Sequence, residues 1–195
     1  MKKLFVVCLL SLLLVSQAKA GINIYGGYSL ADKTDIKIGS ITAADTIGGA
    51  LGLGVEYSDK INEKWGFALG GTYFLDRTFT SYVQSNFPGT TFIYADPKPK
   101  LSTVVLYANA KFSLSKDSYF LGGANYHIPI TSNINSGTKI NGKLGFQFGV
   151  GYQLSKNLNI EGLYRILNID FKSSGGVQAD SYSLNGLEAL IKYSL

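Results

Sequence analysis

The sequence predicts an all-β protein: an eight-stranded antiparallel up-and-down transmembrane β-barrel behind an N-terminal signal peptide. Three observations carry that prediction. The first is the stretch Lys139 to Leu154. In it Ile140, Gly142, Leu144, Phe146, Phe148, Val150, Tyr152 and Leu154 alternate with Asn141, Lys143, Gly145, Gln147, Gly149, Gly151 and Gln153. A period of two separates an apolar, aromatic face from a polar or glycine face, which is a strand pattern. Ordinary strands run ~5–6 residues; alternation sustained this long suits a tilted strand that crosses a bilayer. The second observation is that seven other segments repeat the theme, with connections that run long, short, long, short, long, short, long. Membrane barrels have that asymmetry, with short turns on the periplasmic side and long loops outside. The third is aromatic placement. Tyr57, Trp65, Phe112, Phe120, Tyr152 and Tyr193 fall on apolar faces next to the short turns, where a girdle at the membrane–water boundary is expected.

The elements follow in order. Lys2 and Lys3 open a basic region, Leu4 to Val15 is apolar but too short to cross a bilayer as a helix, and Ala18-Lys19-Ala20 is a cleavage signal before Gly21. Residues 1–20 read as a secretory signal peptide for the Sec pathway, and residues 21–195 as the barrel domain. Ile22 to Leu30 is the first strand, with Ile22, Ile24, Tyr28 and Leu30 on one face, and the polar segment Ala31 to Thr46 follows. Ile47 to Tyr57 is the second, placing Ile47, Leu51, Leu53, Val55 and Tyr57 together. After the turn Ser58 to Lys64 comes Trp65 to Tyr73. Its rise, at ~3.3 Å per residue and a tilt near 40°, gives about 20 Å of height, close to an apolar band of about 25 Å.

Asp76 to Lys100 is the longest connection and carries Phe79, Tyr82, Phe87, Phe92 and Tyr94 among Thr, Ser and Gln. That mixture suits an adhesive surface or a hairpin packed on itself. Leu101 to Phe112 is the fourth strand, Ser113 to Ser118 a turn, and Phe120 to Ile128 the fifth strand. Pro129 to Thr138 leads to the sixth, and Ser155-Lys156-Asn157 is a tight turn. In the seventh strand, from Leu158 to about Phe171, Ile160, Gly162, Tyr164 and Ile166 share a face before Leu167, Ile169 and Phe171 take over. Lys172 to Ser181 is a loop. The eighth strand, Tyr182 to Leu195, groups Leu187, Ala189, Ile191, Tyr193 and Leu195, with Tyr182 and Leu184 on the opposite parity. A bulge or the start of an exposed loop accounts for each change of phase.

Composition narrows the chemistry. Three of the five net positive charges, Lys2, Lys3 and Lys19, belong to the signal segment, so basicity is a targeting feature and no nucleic-acid partner is expected. Cys8 is the sole cysteine and leaves with that segment, so neither a disulfide nor a thiolate metal site is expected. His127 is the sole histidine, and Asp32 with Asp35 is too thin a set for a metal. No catalytic residue, cofactor site or metal ligand is assigned, and no cofactor is expected. Gly145, Gly149 and Gly151 lie on a strand, where glycine serves close packing rather than nucleotide binding.

An eight-stranded barrel is just wide enough for its interior to be filled by side chains. The inward set includes Glu56, Lys111, Lys143, Glu161, Arg165, Glu188 and Lys192, and charges enclosed there must pair. A last hairpin symmetric about Gly176 and Val177 sets Arg165 opposite Glu188 and Glu161 opposite Lys192. The expectation is a lumenal ion network that either plugs a closed barrel or gates a conduit.

The whole of 21–195 resembles the small outer-membrane β-barrel family that includes the OmpA-type transmembrane domain, OmpX/Ail-type proteins and opacity-like surface proteins of Gram-negative bacteria. The resemblance rests on the signal peptide, the eight alternating segments and the closing strand Ala189-Leu-Ile191-Lys-Tyr193-Ser-Leu195. Family members usually end in an aromatic residue; this chain ends in Leu195 with Tyr193 two before it. No peptidoglycan-binding domain is expected after the barrel. The resemblance implies a non-enzymatic cell-surface role in the outer membrane: envelope integrity, adhesion, or host or phage contact through four outside loops. The implied partners are outer-membrane lipid and lipopolysaccharide, the barrel-assembly machinery and an extracellular ligand. The alternatives are a narrow channel for small or hydrophobic solutes and a lipid A-modifying enzyme. Lipid A deacylase barrels carry His-x-Ser facing the lipid; here the local sequence is Tyr126-His127-Ile128-Pro129, with proline in the serine position and His127 on the inward parity.

Overall fold

The computed structural model describes residues 21–30, 32–38, 41–78, 82–84, 91–93, 100–132, 138–173 and 182–195. The expected signal peptide, 1–20, lies outside the described residues. The strands are β1 (Gly21–Ser29), β2 (Asp32–Ile38), β3 (Ile41–Ile47), β4 (Ala50–Lys60), β5 (Trp65–Thr78), β6 (Tyr82–Gln84), β7 (Thr91–Ile93), β8 (Lys100–Ser113), β9 (Ser118–Ser132), β10 (Thr138–Gly142), β11 (Leu144–Gln153), β12 (Leu158–Ser173) and β13 (Tyr182–Ser194). Eight staves build the wall: β1, β4, β5, β8, β9, the β10–β11 pair, β12 and β13. Each pairs antiparallel with its neighbour, and β1 pairs with both β4 and β13, which closes the barrel. Closure leaves no edge strand in the wall and satisfies the backbone groups within it.

Alternation sends opposite chemistries to the two sides. Leu51, Leu53, Val55, Leu69, Leu106, Leu144, Phe146, Phe148, Val150 and Ile191 are exposed on the outer wall, whereas Asn23, Glu56, Thr72, Asn125, Gln147, Glu161, Arg165, Glu188 and Lys192 are buried inside. This is a soluble protein turned inside out. An apolar belt around the whole wall exceeds the few hundred Å² that water tolerates, and acyl chains are the solvent that suits it.

Three four-residue turns join the staves at one end: 61–64, 114–117 and 154–157. They share one geometry. Ile61, Leu114 and Leu154 N–H donate to the carbonyls of Trp65, Ser118 and Leu158, and Asn62, Ser115 and Ser155 N–H donate to the same three carbonyls. The other end holds the long connections, and two of these contain hairpins. Ala31 to Thr46, read from sequence as a polar segment, includes most of the β2–β3 ladder from Asp32↔Ile47 to Ile38↔Ile41. The Asp76 to Lys100 segment holds the short β6–β7 ladder.

Several expectations are corrected by the ladders. Ile47 does not share the outer face of Leu51: it ends β3 and is fully buried, because Gly48 and Gly49 break the chain before β4. β5 does not stop at Tyr73. It runs to Thr78 through a bulge between Phe74 and Arg77, which leaves Leu75 and Asp76 outside and turns both Phe74 and Arg77 inward. Pro129 is not a connection. β9 continues to Ser132, and the register with β8 slips between Thr103↔Pro129 and Ser102↔Thr131; a proline lacks the N–H that an unbroken ladder needs.

The stretch 139–154 is not one strand. It breaks at Lys143, where the pairing with β12 changes from Gly142↔Ile169 to Phe146↔Ile166, one residue out of step. Asn141 is consequently exposed while Gly145 and Gln147 are buried. Gly142 therefore does not continue the Leu144 face, and the side chain of Ile140 lies outside the described residues. No such break occurs in β12, which pairs with β13 without interruption from Leu158↔Tyr193 to Ile169↔Tyr182. Leu167 keeps the inward parity of Leu163 and Arg165, and both leucines are buried; the apolar residue is a lumen filler, not a sign of a bulge.

Candidate functional site: the barrel lumen

Among the described residues, two groups of ion pairs cross the lumen. Nearer the short turns, Lys111 Nζ lies 2.8 Å from Glu56 Oε1 and 3.7 Å from Glu161 Oε1. Lys192 Nζ lies 2.7 Å from Glu161 Oε2 and pairs closely with Glu56 Oε2. The four residues come from β4, β8, β12 and β13 and form a closed ring in which each charge touches two of opposite sign. Further along, Arg165 Nη2 lies 3.2 Å from Glu188 Oε2, and the Arg165 guanidinium stands 5.7 Å from the Phe74 ring and 5.8 Å from the Tyr107 ring. Arg77 approaches the same Phe74 ring at 5.1 Å. Lys143 sits half-buried at the β10–β11 break, where its N–H donates to the Asn168 carbonyl at 3.0 Å.

The symmetric register assumed for the last hairpin is off by two. Arg165 is opposite Gly186, Glu188 opposite Leu163, Glu161 opposite Leu190 and Lys192 opposite Asn159. The pairs Arg165–Glu188 and Lys192–Glu161 form across the diagonal. Strands in a barrel tilt, so residues level along its axis are staggered from their ladder partners. A slip of two keeps each side chain on its own face.

Residues not singled out from sequence complete this layer. Tyr107 donates to Glu56 Oε2 at 2.9 Å and lies 3.0 Å from Tyr25 Oη; Tyr25 meets Thr72 Oγ1 at 2.7 Å; Tyr119 donates to Glu161 Oε1 at 2.6 Å. Each tyrosine stands directly opposite an inward glycine on the adjoining strand: Tyr25↔Gly54, Tyr107↔Gly70 and Tyr119↔Gly151. Its ring lies over the space that a Cβ would occupy at that glycine. The signal was present in the sequence as odd-position tyrosines on glycine-rich neighbours, but using it requires the register. Tyr25, Tyr107, Leu121, Leu163 and Leu190 then make an apolar layer with Tyr119 packed against it.

Below the ring, at the short-turn end, a polar vestibule of about 420 Å³ opens outward from Lys111, Glu56 and Lys192, with Asn23, Gln153 and Asn159 among its walls. The girdle residues sit around that end on the outer surface. Trp65, Phe120, Tyr152 and Tyr193 are exposed and Tyr57 and Phe112 half-exposed, with Trp65 and Phe112 rings 4.9 Å apart and Tyr57 and Phe67 rings 5.8 Å apart.

His127 is fully buried and points inward, and neither ring nitrogen has a hydrogen-bond partner among the described residues. A general base activating a serine needs such a bond. Among the described residues no group of three or more His, Cys, Asp or Glu is placed to hold a metal.

No family model matches the chain, and no curated protein matches it in sequence. Solved structures do. The outer membrane protein OprG from Pseudomonas aeruginosa is 17% identical, over 90% of this chain and 96% of that one, with a TM-score of 0.58. AlkL, an outer membrane protein determined in lipid bilayers, is 13% identical over 90% of each chain, with a TM-score of 0.55. Neisserial surface protein A is 13% identical over 89% of this chain and 97% of that one, with a TM-score of 0.52. The shared feature is the fold. With a closed eight-stranded wall and an apolar belt, the protein is a small transmembrane β-barrel with the fold of these outer-membrane proteins.

Proposed function

We propose that this barrel is a non-enzymatic, sealed scaffold that displays its long connections at the cell surface. The observation that carries the reading is the ring Glu56–Lys111–Glu161–Lys192, backed by the apolar layer of Tyr25, Tyr107, Leu121, Leu163 and Leu190. A solute crossing the lumen would have to break buried charge pairs and displace packed rings together. The contacts of the scaffold are acyl chains and lipopolysaccharide around the belt, the assembly machinery that reads Ala189 to Leu195 on entry, and an exterior ligand held by the β2–β3 and β6–β7 hairpins. Purified protein in a planar bilayer is expected to leave the membrane insulating. Steady unitary conductance from the unmodified chain would overturn the sealed reading.

One observation favours a narrow conduit instead. The vestibule leads straight to the ring, and Asn109, Asn125, His127 and Gln147 add polar lining further in. On that reading conductance appears and is lost on Arg165→Ala. The enzyme reading lacks such support, since Pro129 stands where the serine would be and His127 faces the lumen.

A further inference from the structure

The three short turns carry an apolar residue at the same geometric position. Ile61, Leu114 and Leu154 are each the first residue of the shared turn, and they are 66%, 51% and 53% exposed; Leu195, at the same rim, is 73% exposed. Nothing in the turn calls for them. Tight turns favour Gly, Asn, Asp and Ser, and the polar work is done by the next residue: Asn62 Oδ1 accepts from Lys64 and Trp65 N–H, and Ser115 Oγ accepts from Ser118 N–H. The backbone bonds of the first position use no side chain.

Direction follows from parity. Leu114, Leu154 and Leu195 lie two residues beyond Phe112, Tyr152 and Tyr193, on the same outward face. That places them about 5 Å further along the membrane normal than the girdle. Lys60 and Lys116 line the vestibule, whereas Ile61, Leu114, Leu154 and Leu195 do not. Lys64 and Lys156 are exposed beside them and are likewise not part of that lining.

We propose that Ile61, Leu114, Leu154 and Leu195 form an interfacial anchor: their side chains enter the glycerol layer of the periplasm-facing phospholipid leaflet, with Lys64 and Lys156 reaching lipid phosphates. The occupant is lipid because Leu114, Leu154 and Leu195 directly extend the outward apolar faces that end in Phe112, Tyr152 and Tyr193, and Ile61 is the exposed apolar residue at the same position of the shared turn. Its effect is to set how deep the barrel sits, by about one or two residue steps.

The chain carries its own reporter. Trp65 is the sole tryptophan, and it closes the first of the three turns. The mature barrel is reconstituted in bilayers whose lipids carry bromine near the glycerol, at mid-chain or near the methyl end, and quenching of Trp65 emission is measured. In the triple variant Ile61→Asn, Leu114→Asn, Leu154→Asn the rim is expected to move toward water by about one strand step, roughly 3 Å. Quenching then shifts toward the bromine nearest the glycerol, and the emission moves to longer wavelength. A variant that still migrates as a folded barrel but keeps the unmodified quenching profile overturns the proposal and leaves the ring as a surface for a protein partner. Should the triple variant fail to fold, the three single variants are read the same way. An unchanged profile in all of them has the same consequence.

Discussion

Replacing Glu56 by alanine is the most searching perturbation of the lumen. The carboxylate is 1% exposed and receives four groups: Lys192 Nζ, Lys111 Nζ at 2.8 Å, Tyr107 Oη at 2.9 Å and Asn23 Nδ2 at 3.4 Å. Their losses are unequal. The Lys192 side chain is 2% exposed and cannot rehydrate, so its charge is left with Glu161 at 2.7 Å as its remaining described carboxylate and the Tyr25 ring at 5.1 Å. Removing one member of a buried pair costs about 3–5 kcal/mol. The Lys111 side chain is 18% exposed, faces the vestibule and can recover water, so its share falls toward the ~1 kcal/mol of a solvated pair. These contributions share one carboxylate and do not add, so about 3–5 kcal/mol is expected in all. The assay is urea unfolding of the barrel in lipid, with the folded fraction read from heat-modifiable gel migration. Lys192→Gln should cost far more than Lys111→Gln. The double variant Glu56→Met with Lys192→Met should recover most of the loss, because a well-packed apolar pair can replace a buried ion pair. A Glu56→Ala variant within about 0.5 kcal/mol of the unmodified chain, the range of an ordinary surface change, would refute the claim that the ring is a buried, interlocked layer.

Three further outcomes follow from the same geometry. A methyl at Gly70 would lie 2.5 Å from Tyr107 Oη and 2.8 Å from the Val55 carbonyl, whereas one at Gly162 meets nothing within 4 Å; Gly70→Ala should cost about 1–3 kcal/mol and Gly162→Ala almost nothing in the same unfolding assay. Phe148 is exposed on the outer wall in the middle of β11, so Phe148→Arg should destabilise the barrel in lipid by about 2–4 kcal/mol, the cost of an arginine at the bilayer midplane, and a neutral result would argue against acyl chains covering that face. Register can be tested by crosslinking: Gly162→Cys with Ala189→Cys, which are ladder partners, should oxidise to a disulfide. Tyr164→Cys with Ala189→Cys, the symmetric alternative, should not, because diagonal Cα atoms lie beyond disulfide reach.

The outward face was open to reading from sequence because a period of two is a local property. Leu51, Leu106, Phe146 and Ile191 needed only their own neighbours to be assigned to the membrane side. The inward charges were open to the same reading, since Glu56, Glu161, Arg165, Glu188 and Lys192 alternate with those apolar residues. Changes of phase were harder. Pro129, Lys143 and the Leu75-Asp76 pair each shift a ladder by one residue, and a one-residue shift reverses which side chains face in. Arg77 was hidden for that reason, Phe74 because β5 runs on past Tyr73, and Ile47 because Gly48 and Gly49 break the chain before β4. Leu167 misled in the opposite way, because an apolar residue on the polar face looks like a slip when it is filling space.

By itself, then, the amino-acid order determined that this chain forms long alternating strands, that eight staves make the wall, which face meets lipid and which ends carry short turns. Those follow from backbone geometry and from where water and hydrocarbon drive each side chain. Which lumenal groups touch was decided only by the closed barrel. Contact across the interior depends on stagger and tilt, quantities that belong to the ring of strands as a whole. Lys192 of β13 and Glu56 of β4 lie far apart along the chain. They become neighbours because β1 stands between those strands and the wall curves round to meet itself.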